Sequence, residues 1–172
     1  AYSIVPGILW VSMLFGAMVG FNRVFLSELE LGAFQGLLTS PIGRDVIFFG
    51  KVLSNVMFLI VIEAILVPVL IVLFNITVSP LHMICVSIPA LLGLSLSGTL
   101  FAAISMNMRA KEVMLPILFL PAVVPIIMGS VESTHLIMVE ASLNESLKWI
   151  GLMIIFDVIY CVIGAVCFTI VI

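Results

Sequence analysis

The chain has 172 residues, of which 64% are hydrophobic and 9% are charged, with a formal net charge of −3. Because a soluble domain averages about 25% charged residues, so few charges cannot cover a globular surface, and the lipid bilayer is the expected solvent. The sequence also lacks a basic patch for nucleic acid. We therefore predict an all-α chain with a single transmembrane domain over residues 1–172.

Five apolar segments are long enough to cross a bilayer, which takes about 20 helical residues. The predicted spans are residues 4–25, 46–74, 81–106, 113–130 and 147–172. The chain is thus predicted to be a polytopic helical bundle.

Lys and Arg residues collect at the first and third connections between these spans. Arg23, Arg44 and Lys51 flank the first connection, and Arg109 and Lys111 lie in the third. Since positively charged residues favour the cytoplasmic side, both connections are predicted to be cytoplasmic. The first of these spans then begins outside, which predicts a further span before it.

The first connection contains a predicted amphipathic helix over residues 27–40. Its start resembles a capping box, with Ser27 as the N-cap and Glu30 reaching back to it. Apolar residues then recur at helical spacing, and the helix ends at Ser40 because the residue before Pro41 avoids helical backbone. This helix is expected to lie along the membrane or against a partner.

The stretch "GRDVIFFGKV", residues 43–52, is superficially similar to a phosphate-binding loop. Six residues separate Gly43 from the Gly-Lys pair instead of four, and Val52 stands where Ser or Thr would hold magnesium. We expect Arg44 and Lys51 to act instead as membrane-interface anchors, with the Lys51 stem along the helix and its ammonium among the headgroups.

Two carboxylic acids lie within predicted spans. Glu63 is twelve residues beyond Lys51, or about 18 Å along a helix, and Asp157 is near the middle of the last span. Charged groups at this depth are costly and are functional candidates by default. The structural alternative is a neutral Glu63 hydrogen-bonded between helices. Asp157 is expected to pair with another span or to line a vestibule.

Small residues and prolines distinguish three of the spans. The segment "ALLGLSLSGTLFAA" contains two small-xxx-small pairs suited to close helix packing, which are Gly93/Ser97 and Gly98/Ala102. Four prolines are predicted to kink helices, namely Pro68, Pro116, Pro121 and Pro125. The fourth span contains three of them, so it is expected to be buried in the bundle, as a moving or substrate-facing part or as a static kink.

Sequence motifs across nearly the whole chain resemble a known transporter family. The segment "ELELGAFQGLLTSPIGRDVIFFGKVLSN" is similar to the cytoplasmic segment of ABC-2 type export permeases. With "PGILW", "LLGLSLSGTLFAAISMNMR" and "LPILFLPAVVPIIMG", the chain more narrowly resembles heme exporter protein B, the CcmB family of cytochrome c maturation. That family normally has six spans. The resemblance implies an ABC-2 type permease-like bundle in the bacterial inner membrane.

The resemblance also implies that the helix over residues 27–40 is a coupling helix, seated in a groove of a separate ABC ATPase subunit. The small residues of the implied set allow close approach, the apolar ones are buried anchors, and the acidic ones meet basic residues of the partner. The set is Glu28, Glu30, Gly32, Phe34, Gly36, Leu37 and Pro41.

The implied function is that of a permease subunit in cytochrome c maturation, for heme export or for ATP-driven release of a heme-loaded chaperone. The implied partners are a second permease copy, heme-handling membrane subunits and the heme chaperone. ATP is bound by the ATPase subunit, and the chain itself carries no catalytic residue or metal site. His82 and His135 are candidate heme contacts, since imidazole is a common axial ligand, although a solvated loop histidine is the alternative.

Two other functions remain open. One is an ABC-2 exporter of another cargo, such as a lipid, drug or polysaccharide. The other is a non-ABC ion-transport or assembly protein that uses Glu63 and Asp157.

Overall fold

The computed structural model describes the backbone of residues 3–171, and the side chains of this range except those at positions 24–26, 28, 29, 34 and 111. The described chain is helical between short connections and contains no strand, which confirms the predicted all-α class. Its helices are α1 (Val5–Glu30), α2 (Ala33–Thr39), α3 (Arg44–Phe74), α4 (Pro80–Ser105), α5 (Lys111–Met138) and α6 (Leu143–Val171).

Five of these helices are long and apolar enough to cross a membrane, which confirms the predicted polytopic bundle. The spanning parts are Val5–Arg23 of α1, Arg44–Phe74, Pro80–Ser105, Glu112–Met138 and Leu143–Val171. Helices α3 and α4 run antiparallel, because Asn55 meets Thr99 while Glu63 meets Ser87. We call the end of the bundle that carries α2 and the α4–α5 connection the α2 end, and the opposite end the far end.

The predicted start of the short helix at Ser27 is wrong. α1 continues through Glu30, and the Leu31 amide donates to the Ser27 carbonyl at 3.2 Å, so Ser27 lies within the last turn of α1. The break comes at Gly32, whose φ of +67° is a left-handed conformation that glycine adopts without a Cβ clash. The glycine therefore sets the boundary, and the capping-box pattern does not. The end at Ser40 is confirmed, since Ser40 is extended.

The fourth connection is shorter than predicted. Residues 131–138, which the sequence assigned to an outer loop, continue α5, and only residues 139–142 separate it from α6. Polar residues in this stretch are compatible with a helix because Thr134 Oγ1 donates to the Ser130 carbonyl one turn back, at 2.7 Å. Glu132 and His135 are therefore helical residues.

Helix α4 is the centre of the bundle and packs against α1, α3, α5 and α6. In an apolar 18-residue window of its span 72% of the residues are buried, compared with 33% in the corresponding window of α5 and 17% in those of α3 and α6. The proline-rich α5, which was expected to be buried in the bundle, packs against α1, α4 and α6 but keeps an exposed side. All four predicted prolines lie inside helices, and α4 contains a further one, Pro89.

Close contacts to α4 and α6 occur where glycine leaves room for an aromatic ring. A Cβ at Gly98 of α4 would collide with the Phe21 ring of α1, and one at Gly164 of α6 would collide with the Phe48 ring of α3. Both rings are fully buried. These two contacts let α1 and α3 pack closely against their neighbours.

Candidate functional site

Helix α2 has an inner and an outer side. Leu37 and Leu38 are half-buried against the hydrophobic core of this chain. Gly36 is exposed, and a Cβ built on it would meet no heavy atom within 4 Å. The outer side of α2 is thus open, while its inner side packs against the bundle.

The implied coupling residues occupy different environments. Glu30, Gly32, Gly36 and Pro41 are exposed, whereas Leu37 packs partly on its own bundle. The side chains of Glu28 and Phe34 lie outside the described residues. The coupling role of the whole set stays a prediction.

The residues that follow α2 connect it to the end of α6. Arg44, exposed at the start of α3, donates from Nη1 to the Thr169 carbonyl at 3.2 Å. One turn later Phe48 packs against Phe168, with ring centroids 5.6 Å apart, and fits over Gly164. The start of α3, directly after α2, is thus in contact with the end of α6.

Lys51 lies on the buried side of α3, with only 9% of its surface exposed. Its neighbours in sequence, Phe48 and Val52, are also buried. Anchoring at the headgroups stays a prediction for Arg44 and Lys51. Because Lys51 is buried, its ammonium group would have to extend out of the bundle to reach the headgroups.

Three polar contacts join α3 to α4 inside the spanning region. Asn55 Nδ2 donates to Thr99 Oγ1 at 2.9 Å, and Ser95 Oγ donates to the Val52 carbonyl at 2.6 Å. Farther along the pair, Ser87 Oγ donates to the carboxyl group of Glu63, which is only 8% exposed. Hydrogen bonds between spanning helices satisfy polar groups that lipid cannot, so these contacts fix the register of α3 on α4.

A groove of about 560 Å³ opens between α3 and α4 next to the Glu63–Ser87 contact. The rest of its lining is aliphatic, methionine and proline, including Ile60, Ala64 and Ile88, which are exposed. Glu63 thus combines an interhelical hydrogen bond with a position at the edge of an apolar recess.

Asp157 of α6 lies where α4, α5 and α6 meet. It is 8% exposed, and its Oδ1 has no hydrogen-bond partner among the described residues. A Cβ at Gly93 of α4 would collide with this carboxyl group and with the side chain of Ile126 of α5. The expected polar pairing of Asp157 with another span is absent from the described residues. Nearby, the Tyr160 hydroxyl donates to the Ala122 carbonyl at 2.6 Å.

The two histidines are at the far end but do not share a cleft. His82 is half-buried and lines a cleft of about 830 Å³ between the α3–α4 and α5–α6 connections, with Met138 and Glu140. His135 is half-buried in the last turn of α5 and does not line it. Among the described residues no three His, Cys, Asp or Glu side chains are grouped as metal ligands, and the three cysteines are free thiols.

The sequence pattern of the family described as "CcmB protein" matches residues 2–170. The chain belongs to the CcmB family.

Three curated relatives carry the name "Heme exporter protein B". The protein from Rhodobacter capsulatus is 29% identical over 132 residues, which are 75% of this chain and 60% of the relative. The Pseudomonas aeruginosa protein is 26% identical over 129 residues, or 73% of this chain and 57% of the relative.

The third relative, from Paracoccus denitrificans, is 29% identical over 135 residues, or 77% of this chain and 61% of the relative. The CcmB-family chain thus spans about three fifths of the length of these relatives. The family assignment confirms the resemblance that the sequence motifs indicated.

The predicted packing residues of this CcmB-family chain all lie on the buried helix α4. Gly93, Ser97, Gly98 and Ala102 are each buried. Ser97 Oγ donates to the Gly93 carbonyl at 2.6 Å, so the hydroxyl is satisfied within its own helix.

Sequence reasoning missed a second set of contacts, between α1 and α3. A Cβ at Gly16 would come within 3.3 Å of Ile62, and one at Gly20 within 2.5 Å of Phe58. The spacing of Gly16 and Gly20 is itself a small-xxx-small pair and could have indicated this contact. Asn55 could likewise have been found, as a polar residue within a span.

Proposed function

We propose that this chain is the permease subunit of an ABC transporter complex that serves heme export in cytochrome c maturation. The family assignment and the names of the three relatives support this proposal. The observation that carries it is α2, a seven-residue helix placed between two spanning helices at one end of the bundle. Such a helix is suited to receive a second protein, because its outer side is open.

In this proposal α2 is the coupling helix and contacts a separate ATPase subunit. Gly36 allows the backbone of α2 to approach the partner closely, and exposed Glu30 provides a carboxylate for a basic residue there. When the ATPase subunits close on ATP, they displace α2. Its inner side and the Arg44 contact to Thr169 then transmit the displacement to α6.

The same proposal places the chain in the bacterial inner membrane with the α2 end in the cytoplasm. The Arg residues at that end, Arg23, Arg44 and Arg109, support this orientation. A permease homodimer would bind two ATPase subunits, and heme-handling membrane subunits with a heme chaperone would complete the system. Heme is the cargo or is carried by the chaperone that the complex releases.

A bulky residue at Gly36 tests the α2 contact without disturbing the bundle. Because the space around Gly36 is empty, Gly36→Trp is expected to leave the amount of protein in the membrane unchanged. Co-purification of the ATPase subunit and the yield of mature cytochrome c are both expected to fall at least about tenfold, as for obstruction of an interface centre.

Gly7→Trp is the matched control, since Gly7 also has no heavy atom within 4 Å but lies near the opposite end of α1. It is expected to preserve both readouts. Full co-purification and full cytochrome c yield with Gly36→Trp would refute the coupling role of α2.

A further inference from the structure

We propose that the groove between α3 and α4 is a binding site for a lipophilic cation, with the carboxylate of Glu63 as its counter-ion. This site does not depend on the ATPase contact or on heme. It follows from the shape, the charge and the depth of the groove.

The groove has the dimensions of a small-molecule site. Its volume of about 560 Å³ falls within the range of about 300–1,000 Å³ that is typical of ligand pockets. Such pockets are mostly apolar, with a few polar groups that orient the ligand. Here the polar groups are Glu63 and Ser87, and every other residue of the lining is apolar.

The charge of the groove selects the ligand. Among the described residues that line the groove, Glu63 is the only charged one. On the same helix, the nearest basic residue is Lys51, twelve residues away, which is about 18 Å along the axis. A carboxylate at this depth is costly unless it is paired, so a ligand that brings a positive charge binds with a Coulombic gain that an uncharged one lacks.

The contact with Ser87 holds the carboxyl group in position. Because Ser87 Oγ donates to one oxygen of Glu63, the side chain is fixed at the edge of the groove before a ligand arrives. The exposed aliphatic residues around it, including Ile60 and Ile88, give a ligand a path from the bilayer. A lipid acyl chain would fill the same space but would leave the carboxylate of Glu63 without a counter-ion.

Two ions of the same shape and opposite charge separate these occupants. Purified full-length protein in lipid nanodiscs is titrated with radiolabelled tetraphenylphosphonium and tetraphenylborate, and bound ion is measured after correction for empty nanodiscs. We expect saturable binding of tetraphenylphosphonium only. Equal binding of both ions, or binding of neither, would overturn the proposal, because the groove would then select apolar shape alone or no ligand.

Variants locate the site. Glu63→Gln keeps the hydrogen bond to Ser87 but removes the charge, and is expected to weaken tetraphenylphosphonium binding at least about tenfold. The matched control is Asp157→Asn, which removes the other buried carboxylate from outside the groove and is expected to preserve binding. Undiminished binding by Glu63→Gln would overturn the proposal.

If Glu63→Gln does not fold, filling the groove gives a second test. Ala64→Phe projects from the exposed lining into the groove and is expected to abolish binding. Val61→Phe, on a lipid-exposed side of α3 outside the groove, is its control and is expected to bind normally. Equal binding by these two variants would place the ion elsewhere and refute the assignment.

Discussion

Several hydroxyl side chains in the bundle bond to a carbonyl of their own helix. Ser105 Oγ donates to the Phe101 carbonyl at 2.6 Å and Ser130 Oγ to the Ile126 carbonyl at 2.7 Å. A few polar groups instead reach another helix, such as Trp10 Nε1, which donates to Thr134 Oγ1 at 2.9 Å. Only these interhelical bonds specify which helices are neighbours, because bonds within a helix form in any arrangement.

The contact between Gly98 and Phe21 provides a test of close packing. Gly98→Ala places a methyl group in the space of the buried Phe21 ring, which also packs edge-on against Phe119 with centroids 5.6 Å apart. Overpacking of this kind is expected to destabilise the protein by about 1–3 kcal/mol. The measurement is the temperature at which detergent-solubilised protein loses its monodisperse gel-filtration peak.

A smaller ring partner should relieve this collision. Combining Gly98→Ala with Phe21→Leu is expected to recover part of the lost stability, relative to the sum of the single variants. Gly151→Ala is the control, because Gly151 has open space around it. Equal stability of the Gly98→Ala variant and the natural protein would contradict this account of the α1–α4 contact.

The location of Glu63 within a spanning helix could be predicted from the sequence, but its partner could not. Its distance from Lys51 along α3 depends only on the residue count, which is twelve. The bond from Ser87 depends on the register of α3 against α4, which is set by contacts between residues distant in sequence. The surroundings of Asp157 also depend on such contacts: it was expected to pair with another span or to line a vestibule, and it lies against Gly93 and Ile126.

At the scale of helices, length and apolar content predicted the five spans, while two boundaries were wrong. Both errors came from giving local polar patterns more weight than backbone conformation. The acidic and hydroxyl residues of 131–138 were assigned to a loop, yet no glycine or proline interrupts the helix there. Conversely, Gly32 stops α1 where the capping pattern predicted a continuous helix.

The break between α1 and α2 is expected to require glycine at position 32. Gly32→Ala puts a Cβ into a left-handed conformation at a cost of about 1–2 kcal/mol, which favours continuing α1 into α2. Spin labels at positions 27 and 39 report this change by pulsed electron resonance. A continuous helix would set their Cα atoms about 18 Å apart, so the distance distribution is expected to shift toward that value or to broaden.

Gly36→Ala is the control for this substitution, because Gly36 lies within α2 and does not have a positive φ. Alanine is the better helix former, so this change is expected to leave the distance distribution as it is. An unchanged distribution in the Gly32→Ala variant would show that tertiary contacts, rather than the glycine, set the break.

At the scale of the whole molecule, the positions of the basic residues and the alternating direction of the helices are consistent with one orientation in the membrane. Arg44 and Arg109 lie at the α2 end, with the antiparallel pair α3 and α4 between them in the chain. The far end carries Lys148 near the start of α6, together with the exposed acidic residues Glu132, Glu140 and Glu145. Because the distribution of Lys and Arg orients membrane proteins, and more of these residues lie at the α2 end, that end is predicted to be cytoplasmic.

Cysteine accessibility tests this orientation in intact bacteria. After replacement of Cys85, Cys161 and Cys167 by alanine, single cysteines are introduced at exposed positions of both ends. Thr39→Cys and Asn107→Cys mark the α2 end, whereas Thr77→Cys and Ser142→Cys mark the far end.

A membrane-impermeant maleimide is expected to label positions 77 and 142 directly, and positions 39 and 107 only after permeabilisation. The pairs matter more than single sites, because positions 39 and 77 flank α3 and positions 77 and 107 flank α4. Labelling of 39 and 77 from the same side would mean that α3 does not span the membrane. The reversed pattern would retain five spans but place α2 outside, where an ATP-dependent partner cannot act on it.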